Sequence, residues 1–296
     1  MRKLVWLRRF SQVVFTGIFI YVLWSTTYPL KGSLSPQVLF KVDPLIMFMT
    51  ALSERVLLPG LLFALAMVLL TLLFGRFFCG WVCPLGAFID GAGALQSRRR
   101  KDLPPAARQK FRVPKFYLLG GIVLLALAGI QAAWVFDPIV TVARVISLNL
   151  IPAVTWAVDK FFQTLIQNFG LYGGVYDVYR SLKEGLLGVN VHFFANSLAT
   201  FVFFLALCFA AFWVLRLWCR MLCPLGAWYA LNAKPALLQR RVTACTSCGK
   251  CVRRCRMGAI DKGTAYDKGE CILCMDCVYD CPEKSTSFSF RKAKMP

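Results

Sequence analysis

Two cysteine runs lie near the carboxyl end of the chain: Cys245-Thr-Ser-Cys248-Gly-Lys-Cys251-Val-Arg-Arg-Cys255 and, after fifteen residues, Cys271-Ile-Leu-Cys274-Met-Asp-Cys277-Val-Tyr-Asp-Cys281-Pro282. Both runs have the spacing C-x2-C-x2-C-x3-C. Three thiols in so tight a loop can occupy neighbouring corners of one compact centre, whereas a fourth thiol must come from farther along the chain. The spacing therefore predicts two centres, each held by four thiolates.

This spacing is that of bacterial two-cluster ferredoxins, in which the last cysteine of each run serves the other cluster. We therefore expect two [4Fe-4S] clusters. The expected ligands are Cys245, Cys248, Cys251 and Cys281 for the first cluster, and Cys271, Cys274, Cys277 and Cys255 for the second. Metal binding would also supply the folding free energy that so short a segment cannot obtain from a hydrophobic core.

Zinc is the competing interpretation, because paired C-x2-C knuckles also form tetrahedral sites with four thiolates. A zinc site needs two knuckles, whereas this segment has two full sets of four thiolates, which favours clusters. The chain departs from the ferredoxin pattern at Arg256, where proline is usual, although Cys281 keeps its Pro282. This departure removes no ligand but is expected to alter the turn beside the second cluster.

The composition is that of a membrane protein. The 296 residues are 58% apolar, whereas soluble domains are about 45–50% apolar. The predicted spans are residues 13–30, 56–78, 116–136 and 193–218, each with the roughly 20 residues needed to cross about 30 Å of hydrocarbon. The first is interpreted as an uncleaved span and not as a signal peptide. Residues 138–150 and 152–188 are apolar but interrupted by charges, so they are expected to form amphipathic helices on the membrane surface.

Basic residues are unevenly distributed along the chain. They concentrate in segments 2–9 and 98–115 and in the carboxyl tail, whereas the loops over 31–55 and 137–184 are nearly balanced. By the positive-inside rule, both termini and the cysteine-rich tail are expected on the cytoplasmic side of a bacterial or archaeal inner membrane. The net charge of +21 is expected to attract anionic lipid or an acidic redox partner protein. Because this charge follows the topology, nucleic acid is not an expected partner.

The membrane part contains an internal repeat. The segment Arg76-Phe-Phe-Cys79-Gly-Trp-Val-Cys83-Pro84-Leu85-Gly86 matches Arg216-Leu-Trp-Cys219-Arg-Met-Leu-Cys223-Pro224-Leu225-Gly226 at an offset of 140. Upstream, Asp43-Pro44 matches Asp137-Pro138 at an offset of 94, so 140 − 94 = 46 residues are inserted in the second outer loop. The predicted architecture is an α-helical membrane domain over 1–236, with four transmembrane helices in repeats 10–97 and 116–236. A small α+β two-cluster ferredoxin domain follows over 237–296.

The repeat should bring its four cysteines together at one side of the membrane. On a helix, residues i and i+4 have Cβ atoms about 5–6 Å apart, which exceeds the roughly 3.5–4.5 Å of a disulfide. A helical C-x3-C pair can instead span two corners of a cluster. We expect a third cluster on Cys79, Cys83, Cys219 and Cys223. A redox-active dithiol and a structural turn are the alternatives.

The remaining residues indicate an electron-transfer subunit and no complete active site. The single histidine, His192, excludes bis-histidine haem ligation, and no catalytic triad, phosphate loop or nucleotide-binding glycine motif is present. A quinone is the expected exchangeable substrate, with Asp43, Asp137, Arg144 and His192 as candidate polar contacts. An Asp-Pro pair before an apolar run is more simply the capped start of a helix.

The four predicted spans, the twin C-x3-C-P motifs and the two cysteine runs together resemble the NapH family of membrane ferredoxins, over nearly the whole chain. The resemblance implies a membrane-anchored iron–sulfur subunit that links the quinone pool to redox partner proteins, with the direction of electron flow left open. The NosR and CcoG types share the twin C-x3-C-P core. The CcoG type implies the alternative function, reduction of a metal or a thiol during assembly of a respiratory metalloenzyme.

Overall fold

The computed structural model describes residues 2–25, 37–95, 110–169, 174–183, 194, 197–261 and 264–290. The first helices are α1 Arg2–Trp24, α2 Gln37–Lys41, α3 Pro44–Glu54, α4 Leu61–Phe74, α5 Phe77–Trp81 and α6 Pro84–Leu95. The second group is α7 Pro114–Leu127, α8 Ala133–Phe136, α9 Pro138–Val145, α10 Ile151–Phe169, α11 Gly174–Leu182, α12 Ser197–Trp213, α13 Leu217–Met221 and α14 Pro224–Ala233. The carboxyl-terminal part contains β1 Gln239–Val242, α15 Lys250–Arg254, the 3-10 turn Lys268–Glu270, α16 Asp276–Tyr279 and β2 Thr286–Ser289.

The predicted spans contain helices, but three of these helices are shorter than predicted. Helices α4 and α7 have 14 residues each, which is about 21 Å at 1.5 Å per residue and less than about 30 Å of hydrocarbon. Gly75 stops α4 with a φ of +77° and Gly129 follows α7 with a φ of +84°. Both are left-handed conformations that favour glycine and end a helix. Helix α1 is longer, with 23 residues beginning at Arg2.

The one described helix that is both long and apolar enough to cross a membrane is the continuous run Pro138–Asn168, with 31 residues. It joins α9 and α10 through a π-helical turn, Ile146–Leu150. The turn lies directly before Pro152, whose ring has no N–H with which to continue an α-helical ladder. Where the sequence indicates separate surface helices, the structure thus has one uninterrupted helix.

The two repeats pack against each other through the helices that follow their cysteine motifs. Helix α6 follows the first C-x3-C-P motif and packs against α12 of the second repeat. Helix α14 follows the second motif and packs against α4 of the first repeat. Each motif is therefore held between a helix of its own repeat and a helix of the other. This packing brings the two cysteine pairs to the middle of the molecule.

The Asp-Pro pairs start two matching helices. Asp43 Oδ1 accepts hydrogen bonds from the amides of Leu45 (2.9 Å) and Ile46 (3.3 Å). Asp137 Oδ1 accepts them from Ile139 (2.7 Å) and Val140 (3.2 Å). Each aspartate thus caps a helix whose first residue is proline, the position that best tolerates a missing N–H.

The carboxyl-terminal part is closed by a two-stranded antiparallel sheet. Strand β1 pairs with β2 so that Gln239 lies opposite Ser289 and Val242 opposite Thr286. Just before β1, the amides of Leu237 and Leu238 donate to the carbonyls of Leu72 and Leu73 at the end of α4, at 3.1 and 3.0 Å. The sheet is therefore anchored on the first repeat, close to its C-x3-C-P motif.

Candidate iron–sulfur sites

The first predicted ligand set lines one cavity near the surface. Its members are Cys245, Cys248, Cys251 and Cys281. Strand β1 leads into this set and the set leads into β2, so the strand pairing returns the last cysteine to the first three. Cys245 and Cys248 are exposed. These four thiols line a cavity that solvent or a partner protein can reach.

The second predicted set lines a separate cavity. Its members are Cys255, Cys271, Cys274 and Cys277, and the rest of the lining is largely apolar. Cys274 and Cys277 are buried. The buried side chain of Arg240 contributes to the lining of both cavities. The second set is thus more enclosed than the first, and one cation lies between them.

The loops that carry these cysteines have an unusual backbone. In the first run Ser247 and Gly249 have positive φ values of 55° and 70°, and at the same places in the second run Leu273 and Met275 have 52° and 62°. Left-handed conformations cost a non-glycine residue roughly 1–3 kcal/mol and persist where the surroundings enforce them, frequently at functional sites. The repeated strain indicates that both loops are shaped to turn their thiols inward.

The buried thiols resist ionisation on their own. Burial raises the pKa of Cys271 and of Cys274 to about 12. Metal ligation requires the thiolate form, so a bound cationic core is the partner that such a set suits. In the described part of the chain, no three His, Cys, Asp or Glu side chains converge on a point for a single metal ion. The thiols of each set instead surround a cavity.

The C-x3-C-P cysteines are all buried, and each pair is divided between two helices. Cys79 and Cys219 lie in the short helices α5 and α13, which end before the second cysteine of each motif. A new helix begins at each following proline. Cys223 caps the second of these helices, because its Sγ accepts the amide N–H of Gly226 at 3.1 Å. The expectation that both cysteines of each C-x3-C pair lie on one helix is wrong, because α5 and α13 end at Trp81 and Met221 and a new helix begins at each proline.

The four C-x3-C-P thiols form one electrostatic group. Burial raises the pKa of the Cys83 thiol well above its usual value, and the neighbouring Cys79 and Cys219 raise it further. Burial likewise raises the pKa of Cys223, followed by the same two neighbours. The thiols of each motif therefore affect the pKa values of the thiols in the other motif. The set is a candidate ligand group that is sealed from solvent.

Two arginines accompany these cysteines. Arg216 forms a two-point ion pair with Asp90, from Nε to Oδ1 at 2.9 Å and from Nη2 to Oδ2 at 2.8 Å. Arg76 donates from Nη1 to the carbonyl of Gly269 (3.1 Å) and to Glu270 (2.9 Å). Burial alone would raise the pKa of Asp90, but the Arg216 guanidinium outweighs this effect and holds it well below its usual range. The sequence signal for both arginines is their shared place in the repeated motif.

The carboxyl-terminal part docks on the first repeat beside its cysteines. A Cβ at Gly80, next to Cys79, would overlap the carbonyl oxygen of Ile272. The indole N–H of Trp81 donates to the carbonyl of Leu273 at 3.0 Å. The second cysteine run therefore lies directly against the first C-x3-C-P motif.

The contacts of Arg256 account for the missing proline after the first cysteine run. Its guanidinium pairs with Asp90 of α6 at 3.0 Å and with Asp276 of its own domain. A proline could make neither contact. The position thus serves docking of the carboxyl-terminal part, beyond the altered turn that the sequence predicts.

Several residues of the positive-inside surplus are internal. Arg8 pairs with Asp90 at 3.1 Å, and Lys115 pairs with Glu270. Arg112 contacts Asp267 at 3.3 Å. These basic side chains join α1 and the start of α7 to the end of the molecule that carries the cysteines.

The candidate quinone contacts are dispersed. Asp43 and Asp137 are fully buried, their carboxyl groups interact with each other, and they serve as helix caps. Arg144 is exposed on α9. His192 lies outside the described residues. The structure thus brings the two aspartates together but does not join Arg144 to them.

A protein family described as a 4Fe-4S binding domain matches the chain twice, over residues 56–102 and 196–244. Each matched segment contains one C-x3-C-P motif, and Cys245 follows directly after the second segment. The family match thus covers both C-x3-C-P motifs and stops short of the two cysteine runs of the tail.

Relatives extend over most of the chain at low identity. Protein NirI of Paracoccus denitrificans is 28% identical over 219 residues, covering 72% of this chain and 26% of NirI. The putative electron transport protein YccM of Escherichia coli is 28% identical over 241 residues, covering 79% and 56%. The ferredoxin-type protein NapH of Escherichia coli is 26% identical over 285 residues, covering 94% and 74%. The chain thus spans about a quarter of NirI and just over half of YccM. No solved structure matches it.

Proposed function

Because the chain belongs to the NapH-type family of membrane ferredoxins, iron–sulfur proteins of electron transport, we propose that it links a membrane quinone to redox partner proteins. The observation that carries this proposal is the series of three cysteine sets. Four thiols are buried between the repeats, four lie in the enclosed second cavity, and four line the outer cavity, where two are exposed. A series from the buried interior to an accessible surface suits electron transfer between a membrane donor and a protein acceptor.

We assign [4Fe-4S] clusters to the two cavities of the carboxyl-terminal part. Cys245, Cys248, Cys251 and Cys281 would hold the first, and Cys271, Cys274, Cys277 and Cys255 the second. The support is that each cavity is lined by four thiols, three from one run and one from the other. Such clusters, when bound, take up and release one electron at a time. The chain's own residues would surround both clusters, with Cys274 and Cys277 of the second set buried and Cys245 and Cys248 of the first set exposed.

We assign a third cluster to Cys79, Cys83, Cys219 and Cys223. The four thiols are buried and interact with one another, and the matched 4Fe-4S binding family covers both motifs. The close packing of Gly80 on Ile272 supports a short separation from the second set. A redox-active dithiol is the outcome that a lower iron content would favour.

We further propose that the helices α1, α4, α7 and α12 cross the cytoplasmic membrane, with the cysteine-rich end in the cytoplasm. Large apolar side chains are exposed along three of them, among them Leu62, Phe63 and Leu69 on α4, Tyr117 and Leu124 on α7, and Phe209 and Trp213 on α12. Surfaces of this kind normally contact lipid or another protein. Helices of 14 residues require a locally thinned bilayer or polar ends that reach its surface.

Iron content and quinol reactivity test the proposal. Protein prepared without oxygen should contain about twelve irons per chain, and about eight would remove the third cluster. Menaquinol should bleach the cluster absorbance, or reduced protein should generate menaquinol from menaquinone. If neither occurs and Cu(II) reoxidises the reduced protein rapidly, the quinone link is wrong and the assembly-factor function replaces it. Cys208→Ser is the control variant, because Cys208 belongs to none of the three sets.

A further inference from the structure

Arg76 and Arg216 occupy the same place in the two repeats, three residues before the first cysteine of each motif. Both side chains are fully buried. A buried guanidinium is strongly unfavourable unless ion pairs and hydrogen bonds compensate for its lost hydration. The partners of these two guanidinium groups therefore indicate which charges each repeat stabilises.

Each guanidinium reaches across to the cysteine loop of the other repeat. Arg216 donates from Nη1 to the carbonyl of Cys79 at 2.6 Å. Arg76 lies against the opposite loop, because a Cβ on Gly226 would come within 2.9 Å of its Nη2. Two cations thus flank the four C-x3-C-P thiols from both repeats.

The two arginines differ in how fully they are satisfied. Arg216 has both oxygens of Asp90 as partners. Arg76 uses only Nη1, and its Nε and Nη2 have no hydrogen-bond partner in the part of the chain that the structure describes. Arg76 nevertheless interacts electrostatically with Cys79, Cys219 and Cys223. Its free N–H groups therefore belong to a side chain that is sealed from water and lies beside the thiols.

The charged side chains beside Arg76 also do not balance. Among the described residues, Glu270 is the one carboxylate that contacts both Arg76 and Lys115. One carboxylate against two cations leaves one positive charge in a site that solvent does not reach. Four thiolates around an iron–sulfur core carry net negative charge, and reduction by one electron adds another. An anionic centre at the four cysteines would balance this surplus.

We propose that Arg76 is the counter-charge of the cluster bound by Cys79, Cys83, Cys219 and Cys223, and that its free N–H groups donate to that centre. This inference rests on the proposed third cluster. A nearby positive charge favours the reduced state, which has one more negative charge. Arg76 therefore raises the reduction potential of the buried centre.

The test is a redox titration of full-length protein, monitored by the paramagnetic signal of each cluster, together with iron content. Arg76→Gln should keep about twelve irons and reduce the equilibrium constant for reduction of the buried centre about tenfold, equivalent to about 59 mV for one electron. The two tail clusters should titrate as in the unmodified protein. Arg76→Lys keeps the charge but loses the paired N–H groups, so a smaller shift in the same direction is expected. Arg9→Gln, at an exposed position on α1, is the matched control.

The outcomes separate the two proposals. About eight irons in the unmodified protein would refute the third cluster itself. Twelve irons with an unchanged titration in Arg76→Gln would refute the counter-charge while leaving the cluster in place. Selective loss of four irons in Arg76→Gln, restored in Arg76→Lys, supports the counter-charge. Equal loss of iron from all three sets in both variants would assign Arg76 to folding and overturn the proposal.

Discussion

The two repeats share a motif but obtain their carboxylates from different places. Arg216 of the second repeat pairs with Asp90 in helix α6 of the first repeat. The residue that matches Asp90 at the repeat offset of 140 is Ala230, so Arg76 has no such partner. Glu270 of the carboxyl-terminal part takes that place. The second repeat is therefore incomplete by itself, and the docked tail completes it.

The same asymmetry determines where the tail sits. Gly80 of the first repeat leaves room for the backbone of Ile272, whereas the matching residue of the second repeat is Arg220. Gly269 in turn packs against the carbonyl of Ala230, where a Cβ would lie 2.8 Å from the oxygen. The pseudo-symmetric pair of repeats thus accepts the second cysteine set in only one orientation.

The largest effect is expected from Asp90→Ala. Arg8, Arg216 and Arg256 all pair with this carboxylate, and removal of one partner of a buried ion pair costs about 3–5 kcal/mol. Thermal unfolding in detergent should show a strongly lowered midpoint. Asp261→Ala, at an exposed carboxylate, is the control. Equal midpoints for the two variants would contradict a central role for Asp90.

A smaller and more local effect is expected from Glu270→Ala. Arg76 and Lys115 lose their common partner, but both can regain water if the tail detaches, so we expect a loss of about 2–3 kcal/mol. Hydrogen exchange should accelerate across 268–276 while the repeat helices stay protected. Glu283→Ala, on the exposed turn after Cys281, should leave exchange unchanged. Uniform acceleration in all helices would show that docking and folding of the repeats are a single event.

Gly80→Ala tests the close approach directly. Its Cβ would overlap the Ile272 carbonyl, and because that oxygen belongs to the backbone the loop must move, at about 1–2 kcal/mol. Gly120→Ala in α7 is the matched control, since nothing lies within 4 Å of its Cβ and alanine favours a helix by about 0.5–1 kcal/mol. The two variants should shift the unfolding midpoint in opposite directions. A stabilised Gly80→Ala would show that the tail does not rest on this loop.

The smallest effect is expected from Trp81→Phe. It removes the indole hydrogen bond to Leu273 but keeps most of the apolar contact, so about 1 kcal/mol should be lost. Trp6→Phe, at an exposed tryptophan of α1, serves as the reference in the same unfolding measurement. If both substitutions are neutral, the hydrogen bond contributes nothing to docking.

Much of the local architecture followed from sequence, and the errors have identifiable causes. The repeat, the helical character of the four predicted spans and the Asp-Pro helix starts follow from spacing and residue type. The single helix through C-x3-C was a wrong prediction, because Pro84 and Pro224 begin new helices. Helix ends at Gly75 and Gly129 depend on backbone conformations that hydropathy does not report. The predicted quinone contacts do not form one site among the described residues.

Sequence by itself determined the two cysteine runs, the crossed grouping expected of them and the internal repeat, because covalent spacing sets which thiols share a loop. The partners of the buried charges, in contrast, depend on how the chain folds. Arg76 and Glu270 are 194 residues apart, and Arg256 and Asp90 belong to different parts of the chain. No local pattern encodes such pairs. Burial makes each charge depend on whichever opposite charge the packed chain brings within reach.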